Sequence, residues 1–135
     1  MRKLISHEKI HSHVKEIHEL TTRVLVMAEQ HGFGEESLKD LRIALDEAIA
    51  NAVIHGNSGD EARKILVRCY LHDDETLEIR IRDQGHGFDV SQLPDPTHDD
   101  NILNPHGRGV FLIRQYMDAV TFNHRGNEIR IWKRK

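Results

Sequence analysis

The segment "LEIRIRDQGHGFD", residues 77–89, combines a clear strand pattern with an unusual ending. Its first half alternates apolar and charged residues, which predicts a strand whose buried face carries Leu77, Ile79 and Ile81. The strand ends on the carboxylate of Asp83, and two glycines follow at once. A Gly-x-Gly pair is on its own a common turn, so its meaning depends on the rest of the chain.

The run before this segment predicts a partner strand. Apolar side chains alternate over residues 65–71, and the short segment "HDDE", residues 72–75, joins the two runs into an antiparallel hairpin. Cys69 falls on the buried face, where a lone cysteine acts as a small hydrophobic residue. The chain ends with a second predicted hairpin, "AVTFNH" and "EIRIWK" around the turn "RGN", residues 125–127.

Apolar residues at spacings of three and four predict three helices. The first covers Ile10–Ala28, and the third covers about Gly109–Asp118. The second begins at Ser37, as an N-cap with an acidic residue three positions on, and runs to about His55. Residues 88–106 are predicted to form a long loop, because they contain three prolines and show little periodicity.

Length and composition favour one domain, residues 1–135, with an ordinary core. The net charge of −3 argues against a nucleic-acid binder, which needs a basic surface. No segment has the roughly 20 apolar residues that cross a bilayer, and the charged N-terminus does not match a secretion signal. With the single cysteine, these features predict a cytoplasmic protein. The eleven histidines lack the spacings of a structural metal site, so we expect none.

The segment "DEAIANAVIHGN", residues 46–57, places two polar groups on the second predicted helix. Glu47 and Asn51 lie about 40° apart, roughly opposite the apolar arc. Small alanines around them leave room for a large ligand. Asn51 offers a neutral oxygen to Mg²⁺, and Glu47, although too weak a base to ionise a hydroxyl group, can orient one and accept its proton late. An exposed polar helix face is the alternative, which the spacing leaves open.

Asp83 is suited to reading a purine base. Its carboxylate accepts a hydrogen bond from the exocyclic amine of adenine, whereas guanine presents an oxygen there, so the residue favours ATP over GTP. Gly85 and Gly87 let the backbone approach a flat ring and adopt positive φ.

A second glycine stretch, "HGRGVFLIRQYMD", covers residues 106–118. Gly107 and Gly109 precede the third predicted helix, where free N–H groups and the helix dipole attract phosphates. Arg108 adds a positive charge, and Val110 is also predicted to contact the nucleotide. The glycines fit neither a Walker loop nor a Rossmann fingerprint.

In this order, these motifs resemble the Bergerat-fold (GHKL) ATPases, and more closely the anti-sigma factor serine/threonine kinases among them. The resemblance covers about residues 10–133. It implies an α+β two-layer sandwich in which helices cover one face of a mixed, mostly antiparallel sheet. It assigns Glu47 as catalytic base, Asn51 as magnesium ligand and Asp83 as the adenine-reading residue. It places Gly85 and Gly87 beside the base, and residues 107–109 at the phosphates.

The resemblance also implies a function. Such kinases use ATP and Mg²⁺ to phosphorylate a serine of a STAS-type anti-anti-sigma protein, they bind a sigma factor in competition with it, and the smaller ones often form homodimers. One position departs from the pattern, because Asn127 stands where these kinases have a threonine that helps to hold adenine. Two alternatives remain: a nucleotide-binding, non-catalytic module that sequesters a regulator, and a detached catalytic domain of a histidine kinase.

Overall fold

The computed structural model describes residues 1–87 and 105–135, and the side chains of the second range from residue 109 onward. Five strands and three helices are present in these ranges. The strands are β1 (Arg2–His11), β2 (Lys64–His72), β3 (Leu77–Arg82), β4 (Ala119–Phe122) and β5 (Glu128–Lys133). The helices are α1 (Val14–Gln30), α2 (Glu35–Asn51), which continues into a π-helical turn at Ala52–Gly56, and α3 (Pro105–Tyr116).

The strands form one sheet in the order β1-β2-β3-β5-β4. Every pairing within the described sheet is antiparallel, so no parallel pair of the predicted mixed sheet occurs there. The inward side chains of the sheet and the apolar faces of the helices form one core. The predicted α+β arrangement, with helices packed on one face of the sheet, is therefore confirmed. Among the described residues, no helix is long and apolar enough to cross a membrane.

The N-terminal prediction was wrong at its first residues. Ile10 lies in β1, where it is buried and pairs with Ile65, and α1 begins only at Val14. Val14 is 79% exposed, although the helical pattern had placed it on the buried stripe. The inward face of β1 carries a charged residue, Glu8, which binds Arg23 of α1. Because of this charged residue, β1 lacks the alternation of apolar and polar residues from which the other strands were predicted.

The ends of the other helices also differ from the predictions. Gly34, not Ser37, is the N-cap of α2, and it makes no side-chain capping hydrogen bond. Two glutamates in the first turn stabilise this helix end instead, because their negative charges lie near the positive end of the helix dipole. The predicted end near His55 falls in the π-helical turn. Helix α3 begins four residues earlier than predicted, at Pro105. Most of the predicted long loop, residues 88–104, lies outside the described residues.

Both predicted hairpins are confirmed. β2 and β3 pair through the turn at residues 73–76, and β4 pairs with β5 around Gly126, whose φ is +80°. Cys69 is fully buried, as predicted, and burial raises the pKa of its thiol to about 12. The thiol is therefore protonated at neutral pH and packs as a small apolar group.

A buried amide joins the ends of four elements. Asn57 follows the π-helical turn and is fully buried. Its Nδ2 donates to Ser12 Oγ at 2.9 Å and to the Lys64 carbonyl at 3.1 Å. Its Oδ1 accepts from the Gln84 N–H at 2.8 Å. These bonds connect the end of α2 to the end of β1, the start of β2 and the end of β3.

We expect Asn57→Ala to lower the free energy of unfolding by about 2–4 kcal/mol, because the buried partners of the amide lose their hydrogen bonds. Urea denaturation of both proteins measures this difference. The exposed neighbour Glu61 provides the control, since Glu61→Ala is expected to change stability by about 0.5 kcal/mol or less. Equal effects of the two substitutions would contradict this role of Asn57.

The outer face of the sheet carries three arginines side by side. Arg68, Arg80 and Arg130 are direct neighbours across β2, β3 and β5. Like charges in such positions repel each other. Two glutamates, each 1% exposed, balance them: Glu78 and Glu128.

Each glutamate holds several cationic side chains. Glu78 accepts hydrogen bonds from Arg2 at 3.0 Å and from Arg80. Glu128 accepts them from Arg68 at 2.9 Å and Arg130 at 3.1 Å. Burial opposes ionisation of both carboxyl groups, but these hydrogen bonds and charges outweigh it, so each pKa is lowered.

This network predicts a loss of stability in acid. A carboxyl group whose pKa is lowered by folding stabilises the protein above its unfolded pKa, about 4.3, and this contribution is lost as the pH falls through the folded pKa. The free energy of unfolding, measured by urea denaturation from pH 6 to pH 3, should therefore fall less steeply for Glu78→Gln than for the parent. Glu75→Gln, at an exposed residue, is the control and should keep the parental slope. Parallel curves for Glu78→Gln and the parent would refute the assignment.

Candidate functional site

A cleft lies between the end of α2, the end of β3, the β4–β5 hairpin and α3. Its lining combines apolar side chains with amide and carboxylate groups. The lining residues are Ala48, Asn51, Ala52, His55, Gly56, Ile81, Asp83, Gly87, Val110, Phe122, Gly126, Asn127, Glu128 and Ile129. Five residues predicted from the sequence as site residues are therefore in one cleft: Asn51, Asp83, Gly87, Val110 and Asn127.

Asp83 lines this cleft, and backbone groups hold it on two sides. Its N–H donates to the Asn127 carbonyl at 2.9 Å, and its Oδ1 accepts from the Gly85 N–H at 2.8 Å. Burial raises the pKa of its carboxyl group, against the lowering effects of the Gly85 N–H and of the positive charges of Arg63 and Arg125. The carboxylate is thus a partly desolvated acceptor, which an N–H donor of a ligand can satisfy.

The end of α2 touches the end of β3 closely, because two glycines leave room at this contact. A Cβ atom at Gly56 would overlap the carboxylate of Asp83, and one at Gly85 would overlap the Gly56 carbonyl. The sequence had suggested that Gly85 makes room for a ligand ring. In the structure Gly85 instead makes room for the backbone of Gly56, and it does not line the cleft.

Gly87 has a different role from Gly85. It lines the cleft with φ of +82°, and a Cβ atom there would overlap the Arg125 carbonyl in the β4–β5 turn. The loop after β3 therefore packs directly on the terminal hairpin, and this contact closes one side of the cleft.

The π-helical turn contributes residues that sequence reasoning missed. His55 and Gly56 line the cleft, and the turn that contains them is closed by a hydrogen bond of 2.8 Å from the Asn57 N–H to the Ala52 carbonyl, five residues back. π-Helical turns are rare and often occur at functional sites. Phe122 and Gly126 were also missed as lining residues. The "HGN" sequence after the predicted helix was the available signal, but it indicated only a helix end.

Asn51 faces the first turns of α3. A Cβ atom at Gly109 would lie 2.8 Å from Asn51 Nδ2 and 3.1 Å from its Oδ1, so the two residues are packed closely. Gly107 and Gly109 lie inside α3 rather than ahead of it, because this helix begins at Pro105. The N–H of Gly107 remains one of the first four of the helix, which have no partner within it, whereas that of Gly109 is the fifth.

The other two predicted residues lie differently. Arg108 is in the first turn of α3, and its side chain lies outside the described residues. Glu47 is half-buried on α2, one turn before Asn51, and does not line the cleft. Their separation along the helix axis is about 6 Å. Glu47 therefore lies beyond Asn51, on the side away from Asp83.

The three alanines near Glu47 and Asn51 do not share one role. All three are buried in the core, and Ala48 and Ala52 also line the cleft, as a large neighbouring ligand requires. Among the described residues, no group of three or more His, Cys, Asp or Glu side chains is arranged to hold a metal ion. Mg²⁺ with few protein ligands fits this cleft better, because Asn51 offers a single amide oxygen.

Comparison with known proteins gives a consistent result. The sequence profile of the family described as histidine kinase-like ATPase domain matches residues 10–133. The chain is 36% identical over 100 residues to the serine-protein kinase RsbW of Listeria monocytogenes, a match that covers 70% of this chain and 63% of the relative. It is 33% identical over 87 residues to the anti-sigma F factor of Oceanobacillus iheyensis, covering 63% of this chain and 59% of the relative. The chain thus spans less than two thirds of the length of these relatives.

Two solved structures share the fold. The crystal structure of the RsbU and RsbW domains of a Mycobacterium tuberculosis protein superposes with a TM-score of 0.68 at 15% identity, covering 96% of this chain and 32% of that chain. The histidine kinase domain of a blue-light activated kinase from Erythrobacter litoralis gives 0.52 at 18% identity, covering 87% and 60%.

The close contact between the ends of α2 and β3 can be tested by adding a side chain at Gly56. Gly56→Ala places a methyl group against the Asp83 carboxylate, so we expect the free energy of unfolding to fall by about 1–3 kcal/mol. In an Asp83→Gly background the whole side chain, including its Cβ atom 2.8 Å from the new methyl group, is absent, and most of this cost should disappear. Urea denaturation of the four proteins gives the coupling. Additive effects would show that the contact does not constrain Gly56.

Proposed function

Since this chain belongs to the family of histidine kinase-like ATPase domains, we propose that it is an ATP-dependent protein serine kinase that also acts as an anti-sigma factor. The proposed substrate is a serine of a STAS-type anti-anti-sigma protein, and the proposed second partner is a sigma factor. The serine-protein kinase and anti-sigma factor names of the relatives support this assignment.

The order of groups along α2 carries the proposal. Gly56, at its end, contacts the carboxylate that would read adenine. Asn51, more than one turn earlier, packs against Gly109 at the start of α3, where phosphates are favoured. Glu47 is one turn earlier again. A nucleotide with its base at Asp83 and its phosphates at Asn51 would therefore direct its γ-phosphate toward Glu47.

The proposed reaction uses positioning and charge rather than a covalent intermediate. The serine hydroxyl oxygen forms a bond to the γ-phosphorus as the bond to the β-phosphate oxygen breaks, which leaves phosphoserine and ADP. Glu47 would orient the hydroxyl group and accept its proton late in the transfer. The N–H groups of the first turn of α3, including those of Gly107 and Arg108, would stabilise the phosphate charge.

In this proposal Asn51 would hold Mg²⁺ through Oδ1, and the ion would neutralise phosphate charge. A neutral amide oxygen suits Mg²⁺, which needs few protein ligands when phosphates are present. Gly87, Val110 and Asn127 would contribute shape and backbone contacts around the nucleotide, with Gly109 beside Asn51, whereas Gly85 would act indirectly by allowing the close approach of Gly56. Homodimer formation and a cytoplasmic location stay predictions.

A second candidate is a nucleotide-binding module that sequesters its partner without catalysis. The position of Glu47 outside the cleft lining favours it, because a catalytic base must come within hydrogen-bond reach of the acceptor hydroxyl. In that case Glu47→Ala should inhibit the partner as well as the parent does.

The kinase proposal predicts phosphoserine on a STAS protein incubated with this protein, Mg²⁺ and labelled ATP. For Glu47→Gln we expect transfer to be about 10²–10⁴-fold slower, with the affinity for Mg·ATP unchanged, because the substitution removes the proton acceptor alone. Single-turnover kinetics and calorimetric titration separate these two quantities.

Two variants make this test specific. Glu36→Gln makes the same chemical change at an exposed position of α2 and should leave transfer intact. Asp83→Asn should instead weaken the binding of ATP. Tight ATP binding without phosphoserine would favour the non-catalytic module. Acid-labile phosphohistidine on the chain itself would favour the histidine kinase alternative.

A further inference from the structure

The turn between β4 and β5 contains a side chain that fixes the backbone beside the cleft. Asn123 follows β4, and its Oδ1 accepts hydrogen bonds from three successive N–H groups. The distances are 2.8 Å to Gly126, 3.1 Å to Asn127 and 3.2 Å to Glu128. Three donors converging on one atom require an acceptor there. They therefore determine which way the Asn123 amide is turned.

The orientation of the Asn123 amide determines the orientation of the Asn127 side chain. With Oδ1 of Asn123 facing the backbone, its Nδ2 donates to Asn127 Oδ1 at 2.7 Å. Asn127 must then present its oxygen to Asn123 and its Nδ2 elsewhere. Within the described parts of the chain, no group accepts a hydrogen bond from Asn127 Nδ2. Asn127 lines the cleft, and its carbonyl holds the N–H of Asp83.

The two side chains beside the cleft therefore have opposite polarity. The Asp83 carboxylate accepts hydrogen bonds, and Asn127, as Asn123 turns it, presents an N–H donor that no group in the described parts of the chain accepts. Adenine presents the complement, an amine donor next to a ring nitrogen acceptor. Hypoxanthine and guanine present an oxygen acceptor next to a ring N–H donor, which opposes both protein groups.

We infer that Asn123 is a positioning residue for base selection: it holds the Asn127 amide with Nδ2 available to a ring nitrogen of adenine. The inference rests on the proposed nucleotide-binding function and adds to it a residue that does not itself line the cleft. It also gives Asn127 a defined role, since an amide free to rotate would present oxygen and nitrogen equally and would not discriminate.

Asn123→Asp tests this with an almost isosteric change. The new carboxylate still accepts the three backbone N–H groups but no longer donates to Asn127, so the Asn127 amide should rotate and present its oxygen to the base. Calorimetric titration with Mg·ATP and Mg·ITP measures the preference between the two bases. We expect the preference for ATP over ITP to fall about tenfold, as for the loss of one well-formed hydrogen bond.

A double-mutant cycle separates this role from a structural one. In an Asn127→Ala background, Asn123→Asp should leave the ATP/ITP ratio unchanged, because Asn123 acts through the Asn127 amide. An equal loss of affinity for both nucleotides, following the melting temperature, would overturn the inference. So would an undiminished effect of Asn123→Asp in the Asn127→Ala background.

If Asn123→Asp does not fold, a second variant, Asn127→Asp, can test the same inference. Asn127→Asp keeps an oxygen for Asn123 Nδ2 and replaces the free donor by an acceptor, so the preference for ATP should again fall, and an unchanged ratio would overturn the inference. A folded parent that binds neither nucleotide would overturn the proposed function, and this inference with it. A parent that binds ATP while both variants keep the parental ratio would overturn the inference alone.

Discussion

The direct contact between the end of α2 and the end of β3 is the constraint on which the site depends. Gly56 and Gly85 have no side chains, and this allows the two chain segments to meet backbone to backbone. Asn57 joins the same two segments from within the core through the Gln84 N–H. Because Asp83 lies between these contacts, its carboxylate is held at the cleft by the same packing that joins the helical layer to the sheet. The stability of the fold and the geometry of the cleft are therefore coupled at this point.

Most of the fold could be predicted from the sequence, because alternation and helical periodicity reflect burial directly. The β2–β3 hairpin and the apolar arc of α2 were predicted for this reason. β1 could not be predicted in the same way, since it is an edge strand whose inward face carries Glu8, and only Arg23 on a separate helix explains that charge. The start of α2 was misplaced because Gly34 serves as N-cap without a side-chain hydrogen bond.

The candidate site could be predicted only where a residue belongs to a recognisable local motif. Asp83 and Gly87 follow a strand, and Asn51 lies on a helix, so their sequence context was informative. The orientation of Asn127 depends on Asn123, and no periodicity indicates a hydrogen bond between these two side chains. The role of Gly85 was misassigned because its close neighbour is a carbonyl group 29 residues away in the chain.

The π-helical turn contains one residue more than an α-helical turn of about the same length. Each residue advances the direction of side chains by about 100°, so the extra residue changes which groups face the sheet after Ala52. Shortening this segment by one residue would restore regular winding and turn Gly56 and Asn57 away from β3. The turn at residues 73–76 has exposed hydrogen bonds to the chain termini, from Met1 to Asp73 and from Lys135 to Glu75, rather than a close backbone contact like that between Gly56 and Gly85. Tolerance to changes in length should therefore differ sharply between these two turns, even though both lie between regular elements.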